Sequence, residues 1–108
     1  MNYKVSLTPY FQKEFKKLKR KFRKIGTDLE NLIDELEQNP FSGTPLGNSC
    51  YKIRVPNSSI PTGKSGGFRT ISLIKIEKET VILLTIYSKT DKDNISDNEI
   101  MEILKEIE

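Results

Sequence analysis

Lys52 and Arg54 occupy alternate positions of Tyr51-Lys-Ile-Arg-Val55, so in an extended chain both project from one face while Tyr51, Ile53 and Val55 take the other. A second basic group stands in Lys64-Ser-Gly-Gly-Phe-Arg69, where a glycine pair lets backbone approach a ligand or turn sharply between a lysine and an arginine. Lys89 ends a very apolar segment that begins at Val81, two residues after Tyr87. Groups of this kind hold anionic oxygens, and a guanidinium matches two phosphate oxygens with its planar fork. Gly63-Lys64-Ser65 invites comparison with a nucleotide-binding P-loop. That pattern needs a glycine where Ser58 stands and a helix directly after the Lys-Ser pair, whereas Gly66-Gly67-Phe68 leads into a strand. The P-loop reading fails. Taken singly, the glycine pair also reads as a plain corner and the cations as one solvated sheet face.

What the chain lacks narrows the chemistry further. It has no histidine, which removes Ser-His-Asp and Cys-His nucleophiles and His-ligated zinc. Its single cysteine, Cys50, excludes an internal disulfide and a cysteine-built metal cage. Asp91, Asp93 and Asp97 read as turn and cap residues, because no calcium-loop glycine or closing glutamate accompanies them. No metal site and no cofactor is expected, so any reaction must run on Lys, Arg, Tyr or carboxylates.

Charge is segregated along the chain. Residues 1–25 hold nine Lys/Arg against one Glu, and residues 26–40 hold five acids and no base. Basic residues again dominate 41–90, while the tail 91–108 carries seven acids against two lysines. The net charge is only +3, but this division points to a protein that meets a polyanion with one face.

The elements that must position these residues follow from periodicity. With 108 residues, 35% of them hydrophobic, and five Phe and four Tyr, the chain makes one ordinary domain spanning 1–108. Residues 3–7 alternate as a half-buried strand. Thr8-Pro9 then offers an N-cap and a proline at the first helical position. Phe11, Phe15, Leu18, Phe22 and Ile25 form one helical stripe, which places the lysines from Lys13 to Lys24 on the outer faces and ends the helix at Gly26. Thr27-Asp28-Leu29-Glu30 reads as a capping box opening a second helix, closed by Asn39-Pro40 and antiparallel to the first. Phe41 to Ser49 and Pro56 to Gly67 read as loops, Tyr51–Val55, Phe68–Ile76 and Val81–Lys89 as strands. A final capping box, Ser96 to Glu99, opens a C-terminal helix. The order is strand, two helices, three strands and a helix, an α+β fold with a mostly antiparallel sheet. No apolar run is long enough for a membrane span, and Met-Asn-Tyr-Lys-Val lacks a secretory leader's apolar stretch, so a soluble cytoplasmic protein without membrane contact is expected.

Leu46-Gly-Asn-Ser-Cys-Tyr-Lys-Ile53, Gly63-Lys-Ser-Gly-Gly-Phe-Arg69, Leu84-Thr-Ile-Tyr-Ser-Lys89 and Asn94-Ile-Ser96 together resemble the RelE/ParE superfamily of bacterial toxins, nearest to its HigB-like RelE branch. The resemblance spans nearly the whole chain. It implies a RelE-like fold and a ribosome-dependent mRNA endonuclease that cuts the codon in the A site. It also implies neutralisation by a cognate antitoxin, often one carrying a helix-turn-helix, with operator DNA met only through the toxin–antitoxin complex. The family's basic positions carry over to Lys52, Arg54, Arg69 and Lys89. Lys52 is then the candidate base, since a lysine crowded by cations can lose its proton near neutrality. Arg69 holds the scissile phosphate and Lys89 is the acid.

The chain departs from RelE at two points. RelE has lysine where Arg54 stands, and arginine is a poor base, so Arg54 is assigned to phosphate binding. RelE also stacks a C-terminal tyrosine on a base, where this chain reads Asn94-Ile95-Ser96; Tyr87 is the substitute, and Lys64 is a further phosphate ligand. Lys16, Lys17, Lys19 and Lys24 of the basic helix are assigned to RNA binding. Two rivals use the same residues differently: a ParE-like inhibitor of DNA gyrase acting by protein binding, and a non-catalytic nucleic-acid-binding module.

Overall fold

Thr8 is where the chain passes from sheet to helix, and its side chain serves both. In a computed structural model describing residues 2–60, 67–89, 91–92 and 94–107, strand β1 spans Lys4–Leu7 and helix α1 spans Pro9–Lys19. Thr8 Oγ1 accepts the Phe11 N–H at 2.9 Å, capping the helix, and donates to the Leu84 carbonyl at 2.9 Å. Both bonds are buried, so neither competes with water. Pro9 costs no hydrogen bond at the first helical position.

The apolar stripe expected to run through one helix to Gly26 is divided between two. Helix α1 stops at Lys19, and α2 spans Ile25–Gln38, so Gly26 lies inside the second helix and does not end the first. The intervening turn is crowded with Arg20, Lys21, Arg23 and Lys24, whose like charges oppose continued helix. Phe22 leaves the helical path to pack edge-on against Phe68, with ring centroids 5.2 Å apart. All five stripe residues still enter one core, with Phe11, Leu18 and Ile25 buried and Phe15 and Phe22 against them. Packing, not helix propensity, sets the boundary. The capping box expected at Thr27–Glu30 is absent for the same reason. Lys24 takes the cap position without a side-chain bond, and Asp28 is committed to Ser58.

Four further strands complete a five-stranded sheet of order β1-β5-β4-β3-β2. They are β2 (Thr44–Gly47), β3 (Cys50–Val55), β4 (Phe68–Lys75) and β5 (Thr80–Ser88). β1 runs parallel to β5, and every other pair is antiparallel. β2 falls in the stretch expected to be a loop. It is a short, fully exposed edge strand, a position that tolerates Pro45 because the ladder needs no donor on the open side. Asn48 and Ser49, both at positive φ, turn it onto β3.

Helices cover both faces of the sheet. One core packs α1 and α2 against Ile53, Val55, Phe68, Ile74, Val81, Leu83 and Ile86. The other packs α3 (Asp97–Glu106) against Cys50, Ile71, Leu73, Leu84 and Tyr87. The reciprocal Ser96–Glu99 capping box opens α3, as its sequence predicts. Because Thr8 joins cap and sheet, Thr8→Ala should cost about 2 kcal/mol of stability, and Thr8→Ser should recover most of it. Urea unfolding midpoints for the two variants test this.

Candidate active site

The strand register aligns residues that lie far apart in the chain. Arg54 of β3 is opposite Arg69 of β4, and Arg69 is opposite Tyr87 of β5. The three form one row across adjacent strands, on the face that carries α3. Lys52 lies two residues from Arg54 on the same face, opposite Ile71. Lys89 extends the register past β5, its N–H donating to the Gly67 carbonyl at 3.1 Å. Cys50, Ile71, Leu73 and Leu84 make the same face apolar under α3, so one half of the sheet carries a helix and the other half carries cations.

Each side chain in this row is held differently. Arg69 is buried, with 7% of its surface exposed, and its Nη1 donates to its neighbour's carbonyl, Phe68 O, at 3.1 Å. Arg69 is therefore not one of a set of solvated cations on a sheet face, the reading its residue type alone allows: its fork is packed against the protein. Gly67 makes room beside it, since a Cβ there would stand 2.7 Å from the Val55 carbonyl and 3.6 Å from Arg69 Nη1. Arg54 is exposed. Lys52 is half-buried, and its Nζ donates to Asn94 Oδ1 at 3.0 Å. Among the described residues, no carboxylate forms an ion pair with Lys52, Arg54, Arg69 or Lys89.

Tyr87 is buried, and its hydroxyl has no hydrogen-bond partner among the described residues. Burial pushes its phenol above the ordinary value of 10.0, the Arg69 and Lys92 charges pull it back, and Glu99 adds to the rise. Lys92 Nζ lies 5.9 Å from the Tyr87 ring centroid and is ion-paired with Glu99. Hydrogen bonds from Lys92 and from Ser96 hold the Glu99 carboxyl below its usual range. The Cys50 thiol is buried, and burial raises its pKa, which suits a packing residue and not a nucleophile.

Sequence reasoning had no signal for Lys92, which sits in an Asp-rich turn. Asn94 was visible only as the residue occupying a tyrosine's place. Lys64 lies outside the described residues.

The basic-helix lysines are placed elsewhere. Lys16, Lys17 and Lys19 are exposed on α1, which packs on the opposite sheet face, and Lys17 pairs with Glu14 at 3.3 Å. Lys24 is exposed in the turn before α2, its N–H donating to Ser59 Oγ at 2.9 Å. The protein therefore has two basic regions, the row and the α1 surface. No cluster of His, Cys, Asp or Glu suited to a metal occurs among the described residues.

The sequence profile of the RelE toxin of the RelE/RelB toxin–antitoxin system matches residues 9–107. No curated protein matches the sequence. A doubly substituted Escherichia coli RelE in the free state has a similar structure, with TM-score 0.65 and 22% identity over 100% of both chains. The intact E. coli RelBE toxin–antitoxin complex gives TM-score 0.59 and 22% identity, covering 78% of this chain and 93% of that one. The RelBE2 toxin–antitoxin complex of Mycobacterium tuberculosis gives 0.57 and 20%, covering 82% and 92% respectively.

An unpartnered buried hydroxyl is a cost to the fold. Tyr87→Phe should therefore leave the protein as stable as before or up to about 1 kcal/mol more stable. A lower urea midpoint would show that the hydroxyl has a structural partner.

Proposed function

The chain belongs to the RelE toxin family of toxin–antitoxin systems, and from that premise we propose that it is a metal-independent endoribonuclease that cuts mRNA in the ribosomal A site. The observation that carries this reading is the Arg54–Arg69–Tyr87 row with Lys52 and Lys89 on the same face, where the described carboxylates leave the cations unneutralised.

The reaction is attack of a ribose 2′-oxygen on the adjacent phosphorus. The 2′-O–P bond forms as the P–O5′ bond breaks, giving a cyclic phosphate and a free 5′-hydroxyl. Three demands follow: removal of the 2′ proton, stabilisation of the extra phosphorane charge, and a proton for the departing 5′-oxygen. Lys52 takes the first role and Lys89 the third. Arg69 and Arg54, facing each other across two strands, hold the phosphorane oxygens, and the buried Arg69 is the more preorganised of the pair.

The antitoxin is the partner that holds the enzyme inactive, and operator DNA is met only through that complex. The exposed α1 lysines Lys16, Lys17 and Lys19, with Lys24, bind ribosomal RNA from the opposite side of the sheet. No described helix is long and apolar enough to cross a membrane, and the site of action is the cytoplasm, where mRNA is translated.

Arg69→Gln keeps the first methylenes of the buried stem and a polar end, and removes the fork. It should reduce single-turnover cleavage about 100-fold or more while remaining folded by circular dichroism. A folded Arg69→Gln protein that still arrests growth when its antitoxin gene is omitted would overturn the assignment. Cleavage should also need the ribosome, because these cations form no strong acid–base pair and alignment of the 2′-oxygen with phosphorus must be supplied from outside. The measurement compares one labelled message free and in a programmed A site. Equal rates would mean the site is self-sufficient. Absence of mapped mRNA cuts together with loss of plasmid supercoiling would replace the nuclease by a gyrase inhibitor.

A further inference from the structure

β1 ends opposite Leu83, so the last residues of β5 border a cleft of about 390 Å³ on the side away from β4. Leu18 and Ile86 form its apolar floor, Lys17 and Lys21 come from α1 and the turn after it, and Tyr87 and Lys92 close the other wall. Tyr87 thus belongs both to the cationic row and to this cleft.

Charge at the rim is arranged in matched pairs. Lys21 Nζ lies 3.2 Å from Asp91 Oδ2, Lys17 Nζ lies 3.3 Å from Glu14 Oε2, and Lys92 pairs with Glu99. All three pairs are solvent-accessible, so each adds little to stability and can exchange its carboxylate for another anion. Inside the same wall is the buried Tyr87 hydroxyl that no described residue satisfies. An apolar floor, an aromatic wall and paired cations at the rim match a nucleotide: a base against Leu18, Ile86 and the tyrosine, and a phosphate between the lysines.

We propose that this cleft binds the nucleotide of single-stranded RNA next to the one whose phosphate lies on the Arg54–Arg69 row, with Lys21 and Lys92 exchanging Asp91 and Glu99 for its phosphate. The inference rests on the endoribonuclease reading and adds a substrate subsite to it. Neither lysine belongs to the row, and neither was singled out by the sequence.

The probe is a fluorescent 2′-O-methyl hexanucleotide, which cannot be cleaved, with anisotropy measured across a salt series on the full chain. Lys21→Gln/Lys92→Gln should weaken binding about tenfold at low salt. It should also reduce the log–log salt slope by about 0.7, the value for one phosphate contact on a single strand. Asp91→Asn/Glu99→Gln removes the same two ion pairs yet should tighten binding, because it frees both lysines; the amide oxygen that Glu99→Gln introduces still accepts at the cap of α3. Opposite signs support a phosphate site. Loss of binding in both double variants would mean that the pairs are only structural, and unchanged binding in both, or no binding by the parent protein, would equally overturn the cleft. Primer extension on translated message, run in parallel, separates the two readings. A parent protein that cuts message while the lysine variant binds the probe unchanged refutes the cleft alone, whereas one that cuts nothing refutes the nuclease itself.

Discussion

Two arginines directly opposite each other on neighbouring strands repel, and this sheet places Arg54 and Arg69 in that arrangement. Register alone does not favour it. The pairing persists because β4 is buried along almost its whole length and joined on both sides, by β3 and by β5, so it cannot slip without turning its apolar residues out of two cores. Phe68 is locked among the residues facing α1 and α2, and Ile71 and Leu73 among those facing α3. Arg69 lies between them and goes where the register takes it. Under the proposed endoribonuclease reading, a phosphate on the row would relieve this contact, its oxygens accepting from both forks.

The surrounding elements keep that row open. α3 supplies Ile100 and Ile103 to the apolar half of the face. Its own N-terminus is tied down by the Ser96–Glu99 box, and Glu99 also reaches back to Lys92. Asn94, just before the helix, accepts from Lys52 across the sheet. The segment between β5 and α3 therefore connects to the row at Tyr87 and at Lys52. On the other side of the molecule, Asp28 in α2 accepts from the Ser58 N–H at 3.1 Å and from Ser58 Oγ at 2.6 Å, anchoring the start of the loop that follows β3. Ser59 holds the Lys24 N–H in the same region. A basic helical surface and a cationic sheet face thus lie over two different cores, on opposite faces of one sheet.

Composition and local pattern settle which side-chain types are available for chemistry, and most of the elements. Absence of histidine, one cysteine and clustered cations are facts of composition. Alternation in β3, β4 and β5, the Thr8-Pro9 helix start and the Ser96–Glu99 capping box are local patterns, and local patterns survive folding because they depend on neighbours a few residues away. Tertiary structure decided what depends on distant partners. It divided one apolar stripe between α1 and α2, with Phe22 off the helical path and edge-on against Phe68. It made an edge strand of Thr44–Gly47, where glycine and proline had read as a loop, because β3 offered an open ladder. It buried Arg69, brought Tyr87 beside it and put Lys92 over the Tyr87 ring. Periodicity tells which face of a strand a residue takes, but the residue it meets across the sheet is fixed by register, and register is set by the packing of the whole core.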